Sequence, residues 1–280
     1  MLKVAAAQIE TPLGDLGANQ CKHLAVIDDA RAAGVQVLLF PELSLVGHSG
    51  GREGPRVALS ADHAILRELS LASGDMLTIV GAVEEAPSAL FYNSAFGLTQ
   101  GQVAFVHRKI NLATYGRLED GKFFGAGHGI KPHPLGPSWR AAVMICADLW
   151  NPALVHLAAM SGTSLLLAPI SSAREAVGEA FDNSEGWAIN SRFHAMTYGF
   201  PLVLANRVGR EDDLTFWGGS RILDPTGRVI TQAGAEEALI TATLDYESVR
   251  QARFLLPTVR DGAAPFLARA FTRISEGFPS

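Results

Sequence analysis

The chain has 280 residues, 48% of them apolar and 18% charged, with a formal net charge of −5 and a pI near 5.9. Such a composition supplies a large buried core and excludes a disordered chain. The acidic balance, with no long run of Lys or Arg, argues against nucleic acid or an anionic membrane surface as partner. No apolar stretch approaches bilayer length, and the opening MLKVAAAQIETPLGD lacks the long apolar region and cleavage site of a signal peptide. Two cysteines, Cys21 and Cys146, are too few for a disulfide scaffold. The expectation is a soluble, cytoplasmic, single-domain chain over 1–280.

Short apolar and β-branched runs alternate with helical patterns. Strands are expected over 2–9, 35–40, 76–83, 92–98, 103–108, 141–146, 164–169, 201–207, 219–224 and 238–244. Helices are expected over 17–33, 60–73, 151–161 and 185–199, with a short one near 246–253. Asp15 or Asn19 caps the first helix, and Gly34 stops it. Several strands are apolar without alternation, which implies burial on both faces. Ten strands are many for one open sheet, so the fold class is α/β with two packed sheets flanked by helices.

Polar residues interrupt three of the apolar runs. VQVLLF leads into Pro41-Glu42, VAFVHR into Lys109, and AAVMI into Cys146 and then Asp148. In α/β sheets ligands bind at the carboxyl ends of strands, so these three interruptions can share one cleft. Each alone has an ordinary explanation. A cysteine after a strand is commonly a small core residue, and Cys21, inside a helix pattern, reads that way. Glu42 fits a structural ion pair, and Lys109 fits a solvated strand end. Together, an acid, an ammonium and a thiol supply the base, the oxyanion-stabilising charge and the nucleophile of acyl transfer.

With these residues in view, the sequence resembles the nitrilase superfamily, the carbon–nitrogen hydrolases, across essentially its whole length. KVAAAQIE is similar to the family's opening strand, and FPELSLVG carries its glutamate as Glu42. HRKINLATYGRLEDGKFFGAG resembles the lysine segment, with Lys109, and VMICADLWNP the cysteine segment, with Cys146. SRFHAMTYGFPLVLANRVG and WGGSRILDPTGRVI resemble the usual continuation.

The resemblance implies a four-layer αββα sandwich, paired into homodimers or higher homo-oligomers through helix faces, that works without metal or organic cofactor. It implies catalysis by Glu42 as base, Cys146 as nucleophile and Lys109 with the Ala147 N–H as oxyanion holders. Tyr115, Ala147 and Trp150 are then expected against the substrate. Many members carry a second glutamate after the lysine. Here Asp120 stands in that place with Glu119 just before it, and either can be the supporting acid. Asp148-Leu149-Trp150 resembles the glutaminase domains of glutamine-dependent NAD synthetases, a similarity that concerns the pocket.

The remaining polar candidates read more plainly. His48, His107, His128 and His133 fit no zinc spacing. The glycines of GAGHG (125–129) suit tight turning in a loop rather than a nucleotide site. Ser171 and Ser172 either line the cleft or serve a turn, while Trp187 and Phe193 read as core or interface. The leading expectation is an amidase that converts a small linear amide to a carboxylic acid and ammonia. N-carbamoyl hydrolysis, nitrile hydrolysis and a non-catalytic binding relative are the alternatives.

Overall fold

A computed structural model describes residues 1–178 and 180–277. In chain order its strands are β1 (Leu2–Gln8), β2 (Val37–Leu39), β3 (Leu77–Ala86), β4 (Leu90–Thr99), β5 (Gln102–Arg108), β6 (His133–Leu135), β7 (Trp139–Val143), β8 (Leu165–Pro169), β9 (Leu202–Ala205), β10 (Val208–Glu211), β11 (Leu214–Trp217), β12 (Arg221–Leu223), β13 (Val229–Gln232) and β14 (Ala238–Leu244). The helices are α1 (Leu16–Ala32), α2 (Gly50–Glu53), α3 (Ala64–Ser73), α4 (Asp120–Phe123), α5 (Pro152–Met160), α6 (Asn183–Tyr198), α7 (Tyr246–Leu255) and α8 (Ala264–Ser275).

Two six-stranded sheets form, in the orders β14-β1-β2-β3-β4-β5 and β13-β12-β9-β8-β7-β6. β1, β2 and β3 are mutually parallel, as are β7, β8 and β9, with antiparallel strands at the flanks. β10 and β11 form a separate hairpin.

Alternation along each strand builds the layers, because successive side chains point to opposite faces. From the first sheet Val4, Ala6, Val37, Leu39, Leu77 and Ile79 meet Ala141, Val143, Leu165, Leu167, Val203 and Ile222 of the second in a shared inner core. The intervening residues Ala5, Leu38, Phe40 and Val80 face Ile27 and Ala30 of α1 and Leu66 and Leu69 of α3. On the other side Ala142, Leu166, Ala168, Leu202 and Leu204 pack on Val155 and Ala158 of α5 and Trp187 and Ala195 of α6. The result is helix, sheet, sheet, helix, in agreement with the four-layer expectation. Both faces of each sheet are apolar, and each fully buried Leu, Ile or Val contributes about 1.5–3 kcal/mol.

Several expectations differ from the outcome. Asp15, not Asn19, caps α1, its Oδ1 accepting from Ala18 N at 2.9 Å. Asn19 is instead buried and donates to the carbonyls of Pro12 and Leu45. Cys21 is exposed on α1 rather than packed in the core. Trp187 is core, while Phe193, off the buried stripe of α6, is 46% exposed. β6, β10, β11, β13, α2, α4 and α8 are additional to the expected elements. They are short or carry their apolar residues on an exposed face, so the sequence pattern for them is weak.

Candidate active site

β2 and β5 run in the same direction and end at the same edge of the first sheet. The second sheet lies across the inner core with the carboxyl end of β8 at that edge. There Glu42 N donates to Ile170 O at 3.3 Å. Residues after β2, β5 and β7 therefore meet across the sandwich, which brings Glu42, Lys109 and Cys146 together.

Two glycines permit this approach. A Cβ on Gly81 of β3 would lie 2.3 Å from Leu43 N and 2.7 Å from Pro41 O, so only glycine lets the Glu42 segment lie on β3. A Cβ on Gly127 would lie 2.3 Å from Arg108 O, and Gly127 N donates to Lys109 O at 2.8 Å. The central glycine of GAGHG thus serves close backbone approach beside the lysine, not the tight turning expected.

Lys109 is 2% exposed, and its Nζ lies 2.7 Å from Glu42 Oε1 and 2.6 Å from Asp120 Oδ2. Asn93 Nδ2 donates to Glu42 Oε1 at 2.8 Å, and Ser171 N donates to Glu42 Oε2 at 3.0 Å. Asn93 also accepts the Lys109 N–H on its backbone oxygen at 2.8 Å. Asn93 is the residue that sequence reasoning missed. Its one signal is an amide at a buried position of a strand, where a polar group needs a partner. Ser171 does reach the site, but through its backbone N–H. Asp120 Oδ2 additionally accepts from Ala113 N at 3.1 Å, which fixes the carboxylate against Lys109. Glu119 faces outward to Lys122 and to Arg52, the latter at 3.3 Å.

Burial pushes the Glu42 carboxyl up, Lys109 pulls it down, and Asp120 adds to the rise; the net direction is upward. Burial works against the Lys109 ammonium, yet Glu42 and Asp120 hold its pKa well above the usual lysine value. Burial also raises the Cys146 thiol, with Glu42 adding to the rise and Lys109 opposing it. The thiol is therefore protonated at rest, although the Lys109 ammonium by itself favours a thiolate.

Cys146 opens a 3-10 turn, Cys146–Trp150, with φ +46°, in the left-handed region that a non-glycine residue rarely occupies. That strain costs on the order of 1–3 kcal/mol and sets the side chain at a sharp strand-to-turn corner. The start of such a turn leaves the N–H groups of Cys146 and Ala147 without an acceptor inside it. Tyr115, 42% exposed, stands at the rim, where its hydroxyl senses Cys146, Lys109 and Glu42. Asp148 and Leu149 are buried. Trp150 is 36% exposed and packs edge-on against Phe181 at 5.9 Å and Trp187 at 5.1 Å.

His48 lines a small cavity of about 40 Å³ beside Asp120, along with Arg52, Arg117 and Phe124. Its Nδ1 lies 2.9 Å from Ser171 Oγ, and burial lowers its pKa to about 4, so the ring is neutral. Among the described residues no group of three or more His, Cys, Asp or Glu side chains is arranged to hold a metal. Nor is any helix there long and apolar enough to cross a membrane.

The chain is 28% identical over 251 residues to the glutamine-dependent NAD(+) synthetase of Thermotoga maritima, an alignment covering 88% of this chain and 42% of that protein. It is also 28% identical over 261 residues to the probable nitrilase C965.09 of Schizosaccharomyces pombe, covering 89% and 91%. The chain thus spans less than half the length of the synthetase and nearly all of the nitrilase-like protein. Its fold superposes on the carbon-nitrogen hydrolase of Helicobacter pylori G27 with a TM-score of 0.82 at 22% identity, covering 96% and 97% of the two chains. Residues 3–254 match the sequence profile of the carbon-nitrogen hydrolases, and the chain belongs to that family.

Proposed function

We propose that this chain hydrolyses a small linear amide to a carboxylic acid and ammonia through a thioester at Cys146. The observation that carries the reading is the buried Glu42–Lys109–Asp120 cluster beside a protonated thiol. Glu42, with its raised pKa, takes the Sγ proton as Sγ bonds to the amide carbon. Lys109 Nζ and the Ala147 N–H hold the oxygen as it becomes negative. Collapse of this intermediate breaks the C–N bond, and Glu42 returns the proton to the departing nitrogen as ammonia. Water then attacks the thioester, giving one proton to Glu42. The C–S bond breaks, and the thiol regains its proton from Glu42 as the acid leaves.

Tyr115 and Trp150 supply an aromatic rim for the acyl group. The name of the Thermotoga relative makes a glutamine side-chain amide the first substrate to try. The same reading includes a homodimer, supported by Ile189 and Met196 of α6, which are 61% and 51% exposed together with Phe193. It also includes a cytoplasmic setting, where the thiol stays reduced.

Matched acyl groups presented as amide, N-carbamoyl compound and nitrile should be compared by kcat/KM from released ammonia. Amides should lead, since Glu42 can protonate a leaving nitrogen and the small Ala147 leaves the oxyanion position open. Equal or faster nitrile turnover would overturn the amidase reading and keep the family assignment.

A further inference from the structure

Asp148 is fully buried and does not belong to the cluster around Lys109. Its Oδ1 accepts two consecutive backbone N–H groups, Ile110 at 3.0 Å and Asn111 at 2.7 Å, immediately after Lys109. Its Oδ2 accepts the N–H of Ile145, immediately before Cys146, at 3.0 Å, and lies 3.4 Å from His107 Nε2. Asn111 closes the arrangement from the other side by donating its Nδ2 to Ala147 O at 2.9 Å.

One carboxylate thus ties the chain on the far side of Lys109 to the chain on the near side of Cys146. The two segments come from different sheets and share no strand ladder, since β5 is the outer strand of its sheet and β7 pairs with β6 and β8. Cys146 holds a positive φ between these ties, and a strained residue persists only where its surroundings fix it. A carboxylate collecting three N–H groups in a buried site is a strong and directional fastener.

We infer that Asp148 is a positioning residue: it latches the Cys146 corner to the Lys109 segment and so sets the nucleophile, the Ala147 N–H and the ammonium in one register. The inference rests on the roles given above to Cys146 and Lys109. Asp148 itself touches neither substrate nor proton in this arrangement.

Asp148→Asn tests it. The amide oxygen can still accept from Ile110 and Asn111, but the amide nitrogen then faces the Ile145 N–H, donor against donor. The expected result is a folded protein whose kcat falls ~10²-fold with KM within ~3-fold, the loss associated with misplacement of about 1 Å. Alkylation of Cys146 by iodoacetamide should slow as well, while Cys21 reacts at the unaltered rate. A purely structural Asp148 would lower the melting temperature yet leave both rates per folded molecule unchanged, and that result would overturn the latch.

Should Asp148→Asn fail to fold, Asn111→Ala decides, since it removes the single bond to Ala147 O. Its kcat should fall ~10-fold at constant KM by the same positioning argument, and an unchanged kcat would count against the latch. The alkylation rates need no substrate, so they test the latch even if wild-type protein hydrolyses no amide, an outcome that would count against the proposed function alone.

Discussion

Asp120 sets its Oδ2 2.6 Å from the Lys109 ammonium, whereas Glu119, one residue earlier, turns out to solvent and pairs with Arg52 and Lys122. The shorter side chain is no handicap, because Asp120 begins α4 and its backbone N–H donates to Ala113 O at 3.0 Å. The loop brings the carboxylate to the lysine. Asp120→Asn should therefore lower kcat by ~10-fold or more through loss of a buried charge partner, while Glu119→Gln stays within ~2-fold, as suits an exposed pair. Steady-state kinetics on the two variants give the ranking, and the reverse order would refute the assignment.

Glu42→Gln should abolish turnover in a protein that remains folded, since an amide cannot carry the thiol proton. Lys109→Ala should lower kcat ~10²–10³-fold, the effect of losing an oxyanion donor. It also leaves the buried Glu42 carboxylate without its cation, so stability falls by about 3–5 kcal/mol. Rates must accordingly be normalised to the folded fraction from circular dichroism. Near-normal turnover by folded Lys109→Ala would remove the lysine from the mechanism.

The two thiols should separate by reagent size. Cys21 is exposed on α1, whereas Cys146 is half-buried with its thiol held protonated by burial. A small haloacetamide near pH 7 should modify Cys146 first, because Glu42 can take the proton as the C–S bond forms. A bulky maleimide should reach Cys21 first. Glu42→Gln should erase the haloacetamide preference. Peptide mapping after brief labelling reads all three results, and preferential haloacetamide modification of Cys21 in the wild-type chain would count against base assistance.

A buried imidazole, His23, and a half-buried one, His48, make stability fall on mild acidification. Burial lowers His23 from 6.5 to about 4; its Nδ1–H donates to Asn19 O at 2.7 Å, and its Nε2 accepts from Ser44 Oγ at 2.9 Å. His48 is lowered to about 4 as well. Each ring binds a proton more readily in the unfolded chain, so its contribution is complete above about pH 6.5, is lost as pH falls toward about 4, and levels off below. The loss approaches about 3 kcal/mol per ring. Melting temperature measured across this window should drop, and His23→Gln should flatten the slope. An unchanged slope in that variant would show that His23 is not the group responsible.

Much of the candidate site was legible in the sequence because polar residues interrupt apolar strands. Glu42 after VQVLLF, Lys109 after VAFVHR and Cys146 after AAVMI are polar atoms where hydrophobic burial leaves no room for unpaired ones, so each must serve a partner. The unbroken apolar character of β2, β8 and β9 likewise announced sheets covered on both faces, and the order of motifs implied four layers.

What the sequence left open was settled by distances between segments far apart in the chain. Asp120 and Glu119 are adjacent and chemically alike, and only the path of the loop decides which meets Lys109. Asn93 lies 51 residues from Glu42 in the chain yet 2.8 Å from its Oε1, a pairing that strand order creates. The direction of the Cys146 shift was hidden for the same reason. Nearby charges can be guessed from sequence, but desolvation depends on how completely the two sheets close over the thiol, and here burial outweighs the favourable ammonium.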